Sequence, residues 1–205
     1  DGSPVIINGT SDWVYEEELG LRDAFAWSPD GRRIAYYQFD QTGVPEFALV
    51  NYTDSLYPSI TRYPYPKAGQ TNASVRIGVV EAAGGPTRWM NIPGDPRNTY
   101  VARMDWAAST DELVLQHLNR LQNTNTFYLA NAATGEVGAM FVDRDEAWVD
   151  YTETYRWIEQ GRRLLIESER DGWRHAYAVS RDGDARLITT DAFDILSISG
   201  VDEAG

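Results

Sequence analysis

The stretch DWVYEEEL, residues 12 to 19, carries the side chains best placed for chemistry in this chain. Glu16, Glu17 and Glu18 follow a tryptophan and a tyrosine without interruption. Ser11 or Asp12 can cap a short helical turn ahead of them, and successive helical residues fan out by about 100°. Three adjacent glutamates therefore cannot share one face. At most two converge on one ligand, leaving the third to solvent or to a salt bridge. Neighbouring carboxylates repel, and a primary ammonium between them relieves that repulsion. At ~4 Å such a contact is worth on the order of 4 kcal/mol at an effective dielectric of about 20, before desolvation. From the residues alone both readings stand: a solvated turn, which is the common fate of glutamate runs, or a carboxylate pair holding a positively charged ligand.

Other chemistry is hard to assemble. The two histidines, His117 and His175, each fall inside an apparent strand and read as packed or surface residues rather than bases. No Gly-x-Ser-x-Gly elbow offers a hydrolase nucleophile. No HExxH, EF-hand loop or phosphate-binding glycine loop is present, so neither a metal nor a cofactor is implied. DRDE, residues 143 to 146, reads as a solvated loop without the oxygen spacing calcium needs. With no cysteine, disulfides, thiolate catalysis and Cys-based zinc sites are excluded. A net charge of -13 argues against nucleic acid or an anionic membrane as partner and leaves cationic ligands open. No run approaches the roughly 20 apolar residues that span a bilayer. Both ends, DGSPVIINGT and SISGVDEAG, read as cuts through a longer protein.

The elements that must position these groups are β throughout: short apolar or alternating runs separated by Asp-Gly, Gly-Gly, Pro and Asn turns. AFAWSPDGRRIAYYQFD (24 to 40) predicts strand, turn, strand, and residues 74 to 92 predict a hairpin turning at Gly84-Gly85. Residues 101 to 142 predict three or four strands. Residues 155 to 189 repeat the pattern, with turns at Gln160-Gly161, Asp171-Gly172 and Asp182-Gly183. Trp27, Trp106 and Trp157 each precede a polar turn and then an apolar strand: RRIAYY, DELVLQ, RRLLIE. A kernel that recurs three times in the same order points to four-stranded antiparallel propeller blades rather than a β-sandwich. Three blades cannot close a ring, so an arc of a larger propeller is expected, with DAFDILSISG as the first strand of another blade. Residues 44 to 72, rich in proline and tyrosine, fit no blade and read as an extended arm. A long surface loop and an interface arm describe it equally well.

DWVYEEEL, WSPDGRRIAYYQFD, VPEF, YPYPKAG, LNRLQN and ERDGWRHAYAV together resemble, in order, the N-terminal propeller of the dipeptidyl peptidase IV family of serine exopeptidases. The resemblance implies that residues 1–205 are about three blades of an eight-bladed, substrate-gating propeller, with a short helix bearing the glutamates. The α/β-hydrolase domain that carries the family's catalytic triad is absent from this stretch. By position, the resemblance makes Glu17 and Glu18 the pair that grips a peptide's free α-amine, and it gives Glu16 a supporting place. It implies a homodimer made through the arm at 44–72, peptide substrates with a free N-terminus, and a periplasmic, secreted or membrane-anchored setting. The Arg-Phe-Arg cluster of mammalian members is missing from EAWVDYTETYR (146 to 156), and no role passes to Arg156. The expected function is the propeller part of a proline-selective serine dipeptidyl peptidase, inactive without its hydrolase domain. The alternatives are an interaction propeller with no peptidase role, and the propeller of a tripeptidyl or acylaminoacyl peptidase.

Overall fold

The computed structural model describes residues 2–202. The chain opens with β1 (Ile6–Asn8), a helical turn α1 (Trp13–Glu17), β2 (Phe25–Trp27) and β3 (Arg33–Asp40). An arm of β4 (Glu46–Asn51) and β5 (Ser59–Pro64) follows, and β6 (Ser74–Glu81) and β7 (Arg88–Trp89) complete the first sheet. The second sheet is an antiparallel meander of β8 (Thr99–Trp106), β9 (Glu112–Asn119), β10 (Thr124–Asn131) and β11 (Val137–Arg144). The third repeats it with β12 (Arg156–Ile158), β13 (Arg163–Ser168), β14 (His175–Ser180) and β15 (Ala185–Leu187). Each sheet is a propeller blade, and each recurring tryptophan lies in the first strand of its blade, just ahead of the turn to the second.

The blades stack face to face, which is why their middle strands are apolar on both sides. On β9, Leu113 and Leu115 face the first blade, where they meet Tyr37, Phe39 and Ile77. Val114 faces the third blade and joins Phe127, Leu164 and Ile166. Period-two alternation thus feeds two different cores from one strand. Arginines tie the seams between blades: Arg33 Nη2 reaches Asp111 Oδ1 at 2.9 Å, and Arg181 Nη2 reaches the Ala107 carbonyl at 2.7 Å. Two turn glycines repeat a second seam. Gly135 (φ 81°) and Gly183 (φ 90°) adopt the left-handed conformation, and a Cβ on either would strike a backbone carbonyl of the preceding blade, Trp89 and Met140 respectively. Glycine is required there on both counts.

Two sequence expectations change. DAFDILSISG forms no strand. A strand needs a ladder partner, and the segment instead lies on the third blade, where Ile195 and Ile198 cover Ile158 and Leu165 and Ile195 N donates to the Arg174 carbonyl at 2.8 Å. DRDE is not wholly a solvated loop: Asp143 and Arg144 end β11, and buried Asp143 accepts the Ser168 hydroxyl at 2.5 Å. Residues 44–72, inserted between β3 and β6, form a separate two-stranded ribbon whose pairing runs from Glu46↔Pro64 to Asn51↔Ser59. Its root packs Phe47, Tyr63 and Tyr65 together, and its tip exposes Tyr52, Leu56 and Tyr57.

Candidate recognition site

The glutamates sit on an excursion from a split strand. β1 pairs with β3 along Gln38–Asp40, and β2 takes over along Ile34–Tyr36, so the two occupy one lane of the first sheet. At the break, Gly9 N donates to the Tyr37 carbonyl at 3.0 Å and Tyr37 N to the Ala24 carbonyl at 2.9 Å. A Thr10↔Asp23 bridge closes the neck, and residues 11 to 22 leave the sheet between these two points. The local sequence makes the excursion helical. Asp12 is the N-cap, its carboxylate accepting the Tyr15 N–H at 2.9 Å. Val14, Tyr15 and Leu19 turn inward, and Glu16, Glu17 and Glu18 are all exposed.

Helix geometry then separates the three carboxylates. Glu16 swings towards Arg22, with Nε and Oε1 3.9 Å apart. Glu17, the last helical residue, and Glu18, the C-cap, meet no side-chain hydrogen-bond or ion-pair partner among the described residues. The turn beneath them is firmly seated. The Tyr15 hydroxyl accepts the buried Val101 N–H at 3.0 Å, and its ring lies edge-on to Phe39 at 4.7 Å between centroids. Trp13 lies against Tyr65 at the arm root, with ring centroids 3.9 Å apart. Arg103 Nη1 donates to the Leu19 carbonyl at 2.7 Å, and the Tyr151 hydroxyl reaches the same oxygen at 3.4 Å. Burial pushes the Asp12 carboxyl up to about 6 and the Tyr15 hydroxyl well above its usual range.

Arg103 and Tyr151 are parts of the site that sequence reasoning missed. No local motif marks them, since each meets the turn only across the seam between blades. The region in which the Arg-Phe-Arg cluster was sought instead presents Tyr151 and Glu153. These two also line a cavity of about 350 Å³ between the second and third blades, together with Asp150, Glu169 and Arg174. Neither histidine joins the glutamates. His117 is buried on β9, and burial pushes its imidazole down to about 4. His175 is held above its ordinary range by Asp171, 2.9 Å from its Nδ1, and its Nε2 lies 2.9 Å from the Asp191 carbonyl.

The geometry finds close counterparts among known proteins. The family described as "Dipeptidyl peptidase IV (DPP IV) N-terminal region" matches residues 1–205. The chain belongs to the dipeptidyl peptidase IV N-terminal region family. Among solved structures, the dipeptidyl peptidase 4 of Porphyromonas gingivalis superposes with a TM-score of 0.91 at 32% identity, covering 98% of this chain and 29% of that one. Dipeptidyl peptidase 4 of Trichophyton rubrum is 29% identical over 216 residues, which is 98% of this chain and 28% of that protein. Inactive dipeptidyl peptidase 10 of Mus musculus is 38% identical over 151 residues, 71% of this chain and 19% of that protein. This dipeptidyl peptidase IV N-terminal region thus spans less than a third of the relatives it matches. Its blades are those of the family's propellers.

Proposed function

We propose that the chain is the substrate-gating propeller part of a proline-selective serine dipeptidyl peptidase, and that Glu17 and Glu18 bind the free α-amine of a peptide. One observation carries this reading: two consecutive glutamates, exposed and without partners of their own, stand on a turn seated by hydrogen bonds from the next blade. An exopeptidase must measure distance from the amino terminus. A fixed anionic pair that accepts only a free ammonium performs that measurement and places the second peptide bond for cleavage, a contribution of positioning rather than bond chemistry. The hydrolase domain that cleaves, and a second copy docked on the arm tip, complete the enzyme in this reading.

The experiment compares Gly-Pro and acetyl-Gly-Pro chromogenic substrates on the polypeptide that includes the hydrolase domain. The acetylated substrate is expected to be refused. Glu17→Gln and Glu18→Gln should each lower kcat/KM on the free-amine substrate by about 10- to 100-fold, the range for loss of a charge-assisted hydrogen bond. Binding should also weaken as the peptide amine deprotonates near pH ~8. Unchanged kinetics in both variants would refute the assignment. A second reading, a binding propeller without peptidase role, is favoured by the match to a relative named inactive. Absence of hydrolysis of any free-amine peptide, with peptide binding retained, would select it.

A further inference from the structure

The glutamate turn touches the second blade where β8 is irregular. β8 pairs Val101 with His117 but Arg103 with Gln116, so Ala102 is an extra residue in a β-bulge. Bulges bend a strand and re-aim its side chains. Here the two residues flanking the bulge are the two that hold the turn. Val101 gives its N–H to the Tyr15 hydroxyl, and Arg103 gives Nη1 to the Leu19 carbonyl, one residue beyond Glu18. The same Nη1 donates to the Ala102 carbonyl at 2.8 Å, which ties the guanidinium back to the bulge.

Gln116, opposite Arg103 across the bulge, fixes the other side. Fully buried, it donates Nε2 to the Thr152 carbonyl at 2.7 Å and accepts the Thr152 N–H at 3.0 Å. That clamp presents Tyr151 to Arg103, whose guanidinium carbon lies 4.6 Å from the centre of the Tyr151 ring. The Tyr151 hydroxyl in turn lies 3.4 Å from both the Leu19 carbonyl and Glu153 Oε1.

We infer that Arg103, with Tyr151 stacked on it, is a positioning residue for recognition of the substrate amine, an inference that rests on the reading of Glu17 and Glu18 above. Two unpaired carboxylates on the last turn of a five-residue helix repel, and the turn would fray to separate them. A cation bound to the carbonyl just past the C-cap opposes this. It satisfies the acceptor of the residue that follows the C-cap and places positive charge just beyond the helix C-terminus, where the dipole is negative. The pair is thereby held for one ammonium before substrate arrives, so the effect falls on binding rather than on the bond-breaking step.

The test uses the polypeptide with its hydrolase domain and a Gly-Pro chromogenic substrate. Arg103→Met keeps the stem and removes the donors. Arg103→Lys restores the charge but neither the planar fork nor the stack. Tyr151→Phe keeps the ring alone. Arg103→Met should raise KM by about tenfold or more with kcat within about twofold, and Arg103→Lys should recover part of the loss. A merely structural role would instead lower Tm and active fraction and leave the KM of the folded enzyme alone. If Arg103→Met does not fold, Arg103→Lys and Tyr151→Phe carry the test. Raised KM at a preserved Tm supports the inference, and unchanged KM in both overturns it. Glu17→Gln and Glu18→Gln run in parallel. If they weaken binding while the Arg103 variants do not, this inference fails and the amine reading survives. If they change nothing, both fall.

Discussion

Asp12 offers a quantitative test of how the glutamate turn is held. A helix N-terminus ordinarily favours negative charge, and the Tyr15 N–H points at the carboxylate from 2.9 Å. Burial outweighs both: the residue is 6% exposed, and its carboxyl is pushed up from 3.8 to about 6. The folded chain therefore holds this proton more tightly than the unfolded chain. The stability it contributes is fully present below pH 3.8 and is lost as pH rises through about 6. That gap corresponds to about 3 kcal/mol. Asp12→Asn keeps an oxygen for the Tyr15 N–H and abolishes the titration. Stabilities from urea unfolding at a series of pH values, with m unchanged, give the variant-minus-parent difference. It should grow in favour of Asn by about 2–3 kcal/mol between about pH 4 and about pH 8. A difference flat with pH, or one that moves towards Asp as pH rises, would show that capping and the helix terminus outweigh desolvation, and the reasoning would fail. Asp12→Ala is the control for the cap. Losing the acceptor as well, it should lie about 1 kcal/mol below Asn at every pH.

His117 should show the opposite slope. Burial lowers its imidazole from 6.5 to about 4, so its contribution is present above pH 6.5 and is lost as pH falls towards 4. His117→Phe, compared with the parent by the same unfolding series, should remove about 3 kcal/mol of acid sensitivity, and an unaltered acid slope would count against a neutral buried imidazole. The arm gives a prediction about assembly. Leu56 is 91% exposed and Tyr57 79% exposed at the tip of the ribbon, so Leu56→Asp with Tyr57→Ala should leave folding intact. By sedimentation the polypeptide that includes the hydrolase domain should be a dimer and this variant of it a monomer; a variant that stays dimeric would remove the arm tip from the interface.

The blades were legible because their signals are local. Each Asp-Gly or Gly-Gly turn records a backbone need that other residues meet poorly, and Gly31, Gly84, Gly172 and Gly183 do take positive φ. LVLQHL on β9 reads as continuous because both its faces are buried. β1 was not foreseen. Three residues, IIN, carry little pattern, and their continuation in β2 comes only after the excursion is complete. The final segment was misread as a strand because apolar alternation reports a buried face, whereas a strand also requires a ladder partner. Asp143 was misread because a charge run shows composition, not the buried Ser168 hydroxyl that meets it from the next blade.

The site divides along the same line. That the run sits on a capped, half-buried turn follows from DWVYEEEL itself, since Asp12 caps and Tyr15 and Leu19 bury. Which two glutamates stand free does not, because the helical fan separates all three alike and it is Arg22 that draws Glu16 aside. Nor does what fixes those two. The bond from Arg103 to the Leu19 carbonyl spans 84 residues of sequence, and it depends on one extra residue in β8 that no spacing rule exposes. A run of three glutamates in an unsupported loop is a solvated turn. In this chain the run is closed at its neck by a bridge and roofed at one end by Trp13 on Tyr65. A bulge of the next blade seats it at the other end. Because that seat lies on a different blade, displacement of the second blade relative to the first would strain or break the Arg103 bond that holds the glutamate turn. In the proposed reading, amine recognition therefore depends on the seam between blades as much as on the acidic side chains themselves.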